Sequence, residues 1–251
     1  MWHEVGDRAK RGEAMKHWLL DLLTSIDGVH SEQAIFEAIL RVAVKLEFEY
    51  CAYGLRTPWP VSRPETLMRN NYPAIWQERY ARNRYLEIDP TIARGEQSDT
   101  PFVWTPRMFA RVPAFWEEAQ GAGLRVGWAQ SCFSGASQGG MFTVARSATP
   151  LADEERAYKE AELRGLTAIA HLRLSEVMLP DHFAQRAGAL TSREIEVLKW
   201  TADGKTTLEI ADLLSLSECT VRFHIRNIIT KLNVPNKTAA AVYAAMSGML
   251  S

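Results

Sequence analysis

The first half of the chain carries an aromatic and acidic pattern with the residue types of a small-molecule site. Tyr72, Trp76 and Tyr80 recur every four residues, which places them on one face of a helix. Asp89 and then Trp104 follow. Tyrosine O–H and indole N–H groups donate hydrogen bonds to carbonyls, and an ionised aspartate accepts one from an N–H. This combination suits a small, mostly apolar ligand that carries an N–H and carbonyl groups.

The same pattern also has a purely structural interpretation. Large aromatic residues at helical spacing are common in ordinary hydrophobic cores. Asp89 precedes Pro90, so its carboxylate could instead cap the amino end of a helix. Spacing alone leaves both interpretations open.

A second pattern, near the carboxyl end, is a pair of arginines on a predicted helix. Arg222 and Arg226 are four residues apart and share a face, away from the apolar positions Val221 and Ile225. An arginine on a helix in the DNA major groove can pair bidentately with a guanine. It can equally contact phosphate or sugar, which receive at least half of protein–DNA hydrogen bonds.

The elements around this helix form a predicted helix-turn-helix. Thr191 with Glu194, and Thr206 with Glu209, are capping-box patterns that each begin a helix, and Gly204 ends the first one. A tight connection then leads into the helix with the two arginines, which is the order of a helix-turn-helix. The apolar positions expected to face its core are Ile195, Leu198, Ala202, Ile210, Leu213, Leu214, Val221, Ile225, Ile228 and Leu232.

The remainder of the chain alternates between helical and extended patterns. Helices are predicted over 13–26, 31–45, 73–82, 115–121 and 153–178, and strands over 48–55, 66–69, 102–104, 126–133 and 140–145. This order predicts an α+β protein whose amino-terminal domain is an α-β-α sandwich that binds ligand, followed by an all-α helix-turn-helix domain that binds DNA. We place the domains at 1–179 and 189–251, with a linker at 180–188.

The carboxyl-terminal segment LTSREIEVLKWTADGKTTLEIADLLSLSECTVRFHIRNIITKLNVPNKTAAA resembles the DNA-binding domain of LuxR-type transcription regulators. It contains the elements of that family's TVxxHxxNIxxKL pattern. Arg222 and Arg226 are the candidates for base contact, and His224, Asn227 and Lys231 complete the predicted DNA-binding set.

The segment NYPAIWQERYARNRYLEIDPT resembles the acyl-homoserine lactone-binding domain of quorum-sensing LuxR-type regulators. The resemblance implies that Trp76 donates its indole N–H to the lactone carbonyl and that Asp89 accepts the amide N–H. It also implies that Tyr72 bonds the acyl carbonyl, with the hydroxyl of Thr143 nearby. Tyr80 and Trp104 would form walls of the pocket. The residues implied to contact the ligand are therefore Tyr72, Trp76, Tyr80, Asp89, Trp104 and Thr143.

Composition and charge limit the classes of function. The 251 residues are 47% hydrophobic and 24% charged, which is typical of a soluble globular protein of one or two domains. A net charge of −1 argues against a protein that coats nucleic acid indiscriminately. Weak electrostatic attraction to DNA implies weak binding at a single site. This favours a homodimer that binds two half-sites of an inverted-repeat operator in double-stranded DNA. The long predicted helix over 153–178 and the closing helix over 237–249, with Val242, Ala245 and Met249, offer apolar faces for that self-association.

Catalytic and metal sites are not expected. The six histidines form no H-x-H or H-x-x-H cluster, as a lactone-hydrolysing metalloenzyme would require, and the three cysteines have no C-x-x-C spacing. Reduced, buried thiols are therefore expected. The sequence lacks a run of apolar residues long enough to cross a bilayer and begins without a signal-peptide pattern, so we expect a cytoplasmic protein without membrane contact.

The patterns and the resemblance to LuxR-type regulators together predict a transcription regulator that binds an N-acyl-homoserine lactone and controls quorum-sensing genes. We expect no cofactor, and RNA polymerase is a further candidate partner. One alternative is an orphan regulator that responds to a different small amide or lactone. The other alternative is a regulator that acts without any ligand.

Overall fold

The structure is a computed structural model that describes residues 18–57, 59–134, 138–179, 190–247 and 249–250. Most of the described residues up to Met178 form one compact unit, and those from Leu190 onward form most of a second. The predicted linker, 180–188, lies outside the described residues, and so does the 13–17 portion of the first predicted helix.

A five-stranded sheet forms the centre of the first unit, in the order β2-β1-β5-β4-β3. The strands are β1 (Tyr50–Arg56), β2 (Thr66–Asn70), β3 (Phe102–Val103), β4 (Val126–Ser134) and β5 (Gln138–Arg146). Strand β1 pairs antiparallel with both β2 and β5, and β3 pairs antiparallel with β4. Ala52 on β1 therefore lies opposite Asn70 on one side and Thr143 on the other.

Six helices accompany this sheet in the described part of the first unit. They are α1 (18–26), α2 (Glu32–Lys45), α3 (Ala74–Arg82), α4 (Pro90–Gly95), α5 (Pro113–Gly121) and α6 (Asp153–Met178), with a short 3-10 helix at Tyr85–Glu87. Ser31 caps α2, because its hydroxyl accepts a hydrogen bond from the Ala34 amide at 3.3 Å. Gly123 adopts φ +92° directly after α5, which is the left-handed conformation that ends many helices.

Helices cover both faces of the sheet. Side chains alternate along a strand, so Tyr50 and Tyr53 point to opposite faces. The Tyr53 hydroxyl hydrogen-bonds His171 Nδ1 of α6 at 2.8 Å, and α2 and α6 pack on each other and on β1. On the other face, Tyr50 packs edge-on against Tyr72, with ring centroids 6.1 Å apart. The predicted α-β-α architecture is confirmed.

A buried ionic cluster fixes the start of α6 to the sheet and to the end of α2. The guanidinium of Arg146 donates to both carboxylate oxygens of Glu155 at 2.8 Å. The Lys159 ammonium donates to Glu155 at 2.7 Å and to the Leu46 carbonyl at 2.8 Å. The hydrogen bond from Arg146, above all, lowers the pKa of Glu155 to about 2 although burial acts in the opposite direction. This cluster stabilises the packing of α2 and α6 against the sheet.

The described part of the second unit contains four helices, α7 (Ser192–Ala202), α8 (Thr207–Leu214), α9 (Glu218–Leu232) and α10 (Lys237–Met246). Both predicted capping boxes are present. Thr191 and Glu194 exchange hydrogen bonds at the start of α7, and Thr206 and Glu209 do the same at the start of α8. Gly204 follows α7 with φ +84°. The prediction of an all-α helix-turn-helix is confirmed.

The buried faces of α7 and α8 differ in part from the predicted ones. Leu213 is 50% exposed and Ala202 is exposed. The buried arc of α8 is centred on Ile210 and Ala211, which leaves Leu213 well outside it at 3.6 residues per turn. Ala202 lies at the edge of the α7 arc for the same reason. Farther on, Met249 packs partly against the core of its own domain, unlike the exposed Val242 and Ala245.

The three cysteines are free thiols in different environments. Cys51 is buried, which raises its pKa to about 12. Cys132 is partly buried, and Cys219 at the start of α9 is exposed, so the expectation of buried thiols holds only for Cys51. No helix within the described ranges is long and apolar enough to cross a membrane.

Candidate ligand pocket and DNA-binding helix

Trp76 occupies the centre of an aromatic cluster between α3, α5 and the sheet. It is 3% exposed, and its ring centroid lies 5.7–5.9 Å from those of Phe115, Tyr85 and Tyr80. Tilted and edge-on contacts at this distance are the favoured geometries of aromatic pairs. Tyr72 packs against the same cluster from the residues just before α3. The three aromatic residues therefore meet at one place, but only Trp76 and Tyr80 do so from one helix face: the prediction of a shared helix is wrong for Tyr72, because Pro73 is the N-cap and the helix begins at Ala74.

Trp104 forms a second part of the same aromatic surface. Its ring contacts Phe109 and Trp116 edge-on, and those two rings stack with centroids 4.2 Å apart. The Trp104 amide donates to the Gly127 carbonyl at 2.8 Å, and a Cβ atom at position 127 would overlap the Trp104 ring. Gly127 is thus required for the close approach of Trp104 to β4.

Asp89 is both the N-cap of α4 and a hydrogen-bond partner of the aromatic cluster. Its Oδ1 accepts from the Thr91 amide at 2.8 Å and from the Thr91 hydroxyl at 2.7 Å. Its Oδ2 accepts from the Tyr80 hydroxyl at 3.0 Å. A carboxylate offers about four lone-pair sites, so one site on Oδ2 stays available to an additional donor. The capping interpretation and the ligand interpretation of Asp89 are therefore compatible.

The charge of Asp89 is poorly compensated. Burial raises the pKa of its carboxyl, and the hydrogen bonds from Thr91 and Tyr80 only partly oppose that effect. No cation in the described part of the chain forms an ion pair with it. Burial, followed by the charge of Asp89, raises the pKa of the Tyr80 phenol; burial, Cys51 and Asp89 raise that of Tyr72. Both phenols are thus kept protonated and able to donate.

The aromatic cluster also includes a buried hydrogen-bond donor, on Trp104. The indole Nε1 of Trp104 is buried and has no hydrogen-bond partner among the residues that the structure describes. Buried donors are nearly always satisfied, so this N–H marks a place where an acceptor fits. Thr143 is 5% exposed and lies on the sheet face of Ala145, which belongs to the aromatic cluster.

Several residues of the site were not predicted. Tyr85, Phe109, Phe115 and Trp116 line the same cluster. The Tyr85 hydroxyl donates to Glu118 at 2.8 Å and so ties the 3-10 helix to α5. The sequence signal was the high density of aromatic residues between 102 and 116, which has no helical or strand period that would group it with α3.

Residues 135–139 match a short motif that also occurs in hydrolases. Residues 135–139 read GASQG, which fits the G-x-S-x-G pattern of hydrolase nucleophile elbows. Such an elbow turns from a strand into a helix. Here the string connects two strands, β4 and β5, and residues 135–137 lie outside the described residues. The context therefore differs from that of a nucleophile elbow.

The exposed face of α9 carries the two predicted base-contacting arginines. Arg222 and Arg226 are both exposed, whereas Val221 and Ile228 are buried on the opposite side. Arg222 donates to Glu218 at 2.7 Å, and this hydrogen bond raises the pKa of its guanidinium. Asn227 and His224 are partly buried along the same helix, and the buried Nδ1 of His224 has no partner within the described residues.

Lys231 has a role inside the domain. Its ammonium donates to Oε2 of Glu194 at 2.7 Å, and the same oxygen accepts from the Thr191 amide at 2.7 Å. Burial tends to raise the pKa of Glu194, which is 2% exposed, but the hydrogen bonds from Lys231 and Thr191 lower it overall. This pair docks the end of α9 on the start of α7, so Lys231 positions the helix from within the domain.

Other basic side chains are also engaged internally. Arg193 donates to the Leu214 carbonyl at 2.8 Å, and Lys237 donates to the Lys205 carbonyl at 2.8 Å. Basic groups at these positions satisfy carbonyls that end a helix or a turn. Lys231, Arg193 and Lys237 are thus held inside the domain, whereas Arg222 and Arg226 lie exposed on α9, with Arg222 paired only to the exposed Glu218.

An aromatic cluster with a carboxylate that lacks a cationic partner, joined in one chain to a helix-turn-helix, is typical of a DNA-binding regulator that responds to a small molecule. Residues 31–174 match the family model described as "Autoinducer binding domain", and residues 188–244 match "Bacterial regulatory proteins, luxR family". The chain belongs to the LuxR family of autoinducer-binding transcription regulators, whose members act in quorum sensing.

Similar proteins cover nearly the whole chain. The transcriptional activator protein AnoR of Acinetobacter nosocomialis is 41% identical over 94% of this chain and 100% of its own length. The quorum-sensing regulator RhlR of Pseudomonas aeruginosa is 35% identical over 93% of this chain and 96% of its own. The structure of SdiA in complex with octanoyl-rac-glycerol has a TM-score of 0.81 at 30% identity, covering 93% and 96% of the two chains.

Proposed function

We propose that the amino-terminal pocket binds an N-acyl-homoserine lactone through Asp89, Trp76, Tyr72 and Thr143. Asp89 accepts the ligand amide N–H at its remaining Oδ2 site, and the Trp76 indole donates to the lactone carbonyl. Tyr72 donates to the acyl carbonyl, with the Thr143 hydroxyl beside it. The observation that carries this proposal is the partly buried Asp89 carboxylate, which accepts from Tyr80 at the aromatic cluster, has a further acceptor site on Oδ2, and whose pKa is raised by desolvation. Tyr80 and Trp104 form walls.

The proposal is tested by identifying what the protein retains. Full-length protein is purified after expression with a panel of lactones, and the small molecule that copurifies is identified by mass spectrometry. An intact lactone in one-to-one amount supports a receptor without cofactor or catalytic activity. Recovery of the hydrolysed acyl-homoserine would indicate an enzyme and contradict the proposal.

A second candidate ligand is an acyl ester without an amide. The similar protein SdiA has been solved with octanoyl-rac-glycerol, which has carbonyl and hydroxyl groups but no amide N–H. If this chain used such a ligand, the contribution of Asp89 would depend on a hydroxyl donor. Competition between a lactone and 1-octanoyl-glycerol on the same purified protein distinguishes the two. A regulator that needs no ligand would bind its operator equally well before and after exhaustive dialysis.

We further propose that the protein binds an inverted-repeat operator as a homodimer. Arg222 and Arg226 are the candidates for base contact, with His224 and Asn227 as backbone contacts. Their exposure or partial exposure on α9 supports this assignment. Lys231 was predicted as a further phosphate contact, and its pairing with Glu194 favours the positioning role instead.

The dimer proposal depends on the exposed Val242 and Ala245 of α10. It predicts half-sites about one helical turn, ~34 Å, apart. Sedimentation of the protein with duplexes whose half-site spacing is varied tests it, since a monomer would bind every spacing alike. We propose RNA polymerase as the partner in transcription and the cytoplasm as the place of action; in vitro transcription with purified polymerase tests the former, and cell fractionation tests the latter.

A further inference from the structure

Phe223 is an exposed aromatic residue on the helix that carries Arg222 and Arg226. Its side chain is 57% exposed, among the largest apolar exposures in the second unit. At 3.6 residues per turn, Phe223, Arg226 and Arg222 fall within about a third of the helix circumference. The buried stripe of Val221 and Ile228 lies on the other side. Phe223 thus belongs to the surface that α9 presents outward.

Exposure alone would not identify a function, because single exposed apolar residues are common on protein surfaces. The location is more informative. In a helix-turn-helix of the LuxR family, the second helix is the one that enters the major groove. The base edges in that groove present hydrogen-bonding groups and one apolar group, the C5-methyl of thymine. An aromatic ring beside the two arginines on this helix can pack on that methyl group, as phenylalanine does in direct readout of thymine.

We infer that Phe223 packs on the C5-methyl of a thymine in the operator and thereby specifies a T·A pair next to the bases contacted by the arginines. This inference rests on the proposed placement of α9 in the major groove. The occupant of this surface is therefore double-stranded DNA with a thymine in each half-site.

The surroundings of Phe223 hold it in place for this contact. The His224 ring lies edge-on to the Phe223 ring, with centroids 5.8 Å apart. The start of α9 is fixed by Ser217, whose hydroxyl accepts from the Thr220 amide at 3.1 Å. Its end is docked by the pair of Lys231 with Glu194. The helix is anchored at both ends, so the ring projects from a rigid element.

The test removes only the methyl group from the DNA. An operator duplex is first selected from a randomised pool by the full-length protein with its copurified ligand. Each thymine is then replaced in turn by deoxyuridine, which retains all hydrogen-bonding groups. We expect that deoxyuridine at one thymine in each half-site lowers the affinity of the wild-type protein about fourfold. This factor corresponds to ~0.8 kcal/mol for the burial of one methyl-sized group.

The decisive comparison uses Phe223→Ala. This variant should bind the thymine and deoxyuridine duplexes equally, because the partner of the methyl group is gone. Phe223→Leu should retain part of the discrimination. Leu208, 60% exposed on α8, gives the matched control: Leu208→Ala should leave the discrimination as it is in the wild-type protein. Unchanged melting temperatures would exclude unfolding as the cause.

Two outcomes would overturn the inference. If Phe223→Ala keeps the fourfold loss with deoxyuridine, the methyl group is contacted by another residue. If Phe223→Ala weakens binding to all duplexes alike and lowers the oligomeric state in sedimentation, the ring is a protein–protein contact. A failure of the underlying proposal, that α9 lies in the major groove, would look different. In that case Arg222→Ala and Arg226→Ala would leave the affinity for the operator unchanged.

Discussion

Each unit of the protein has a desolvated carboxylate at the start of a helix, Glu194 buried and Asp89 partly buried, and the two are compensated differently. Glu194, in the capping box of α7, accepts hydrogen bonds from the Lys231 ammonium and from the Thr191 amide. Asp89, the N-cap of α4, accepts only neutral donors from Thr91 and Tyr80. Both groups are desolvated, but only Glu194 is paired with a cation.

The pKa values follow this difference. Burial acts first on both carboxyls and raises the pKa, and only at Glu194 do the hydrogen bonds from Lys231 and Thr191 reverse the shift. A carboxylate whose charge is matched inside the protein stabilises the fold. A buried carboxylate that lacks such a match gains stabilisation when an external donor arrives, and perturbed groups of this kind occur preferentially at functional sites.

Removal of Glu194 should have the largest effect and should act on stability. Glu194→Ala leaves Lys231 without its partner and removes half of the capping box, so we expect about 3 kcal/mol less stability in the second unit. Denaturant unfolding, with hydrogen exchange assigned to each unit, measures it. Glu196→Ala, on the same helix but exposed, should cost less than about 1 kcal/mol. Equal effects of the two variants would refute the role given to the buried pair.

Removal of Asp89 should act mainly on the ligand. If the carboxylate accepts the amide N–H in a dry pocket, Asp89→Ala leaves that donor unpaired at a cost of about 1–3 kcal/mol. The midpoint of the lactone response should shift tenfold or more, on the order that this energy sets. Ligand titration followed by intrinsic tryptophan fluorescence measures the shift.

A second variant separates the two roles of Asp89. Asparagine caps helices about as well as aspartate, so Asp89→Asn should keep α4 stable while losing the charge. We expect Asp89→Asn to weaken ligand binding with little loss of melting temperature. If both variants change stability alone and keep the ligand midpoint, then Asp89 is only a helix cap.

Local signals in the sequence predicted much of this comparison. The capping box of Thr191 and Glu194 is a spacing of three residues, and its hydrogen bonds form within one helical turn. The four-residue spacing of Trp76 and Tyr80 likewise reports one face of α3. Periodicity and caps depend on neighbours along the chain, and these features were predicted for that reason.

Contacts between distant segments were not predictable in this way. Glu194 and Lys231 are 37 positions apart, and their pairing depends on how α9 crosses α7, which no local pattern encodes. Phe115 reaches Trp76 from α5 for a similar reason. The exposure of Leu213 shows the same limit, since an apolar residue at a plausible spacing lies outside the arc that the neighbouring helices cover.

The two carboxylates should give opposite pH dependence. The pKa of Glu194 is lowered on folding, so its stabilisation is present above the ordinary glutamate pKa of about 4.3 and is lost as the pH falls through the lowered value. The pKa of Asp89 is raised, so its contribution is present below about pH 3.9 and is lost as the pH rises through the raised value. Hydrogen exchange of each unit across this pH range, without ligand, measures both.

Amide substitutions identify the groups responsible. Glu194→Gln should flatten the acid limb of stability in the second unit, and Asp89→Asn should remove the loss on the alkaline side in the first. Lactone should favour the ionised form of Asp89, so its affinity should increase with pH through the raised pKa and a proton should be released on binding. The same pH profile in wild-type protein and Asp89→Asn would assign the titration to another group.

The smallest expected effect concerns Glu218, an exposed carboxylate that pairs with Arg222 on α9. If Arg222 contacts a base or phosphate, Glu218 competes with the DNA for its guanidinium. Glu218→Gln should therefore raise operator affinity, by less than about fivefold because exposed ion pairs are weak. Fluorescence anisotropy at fixed salt with the selected operator measures the change.

Glu196→Gln is the control for charge alone, since it removes one negative charge from an exposed site that pairs with Arg193 on α7. An equal gain in both variants would mean that only the net charge of the domain matters. A gain confined to Glu218→Gln, and abolished when Arg222→Ala is added, would show that the exposed carboxylate restrains the arginine. No gain in either variant would mean that Arg222 does not leave Glu218 on binding, and the assignment of Arg222 to the operator would then be wrong.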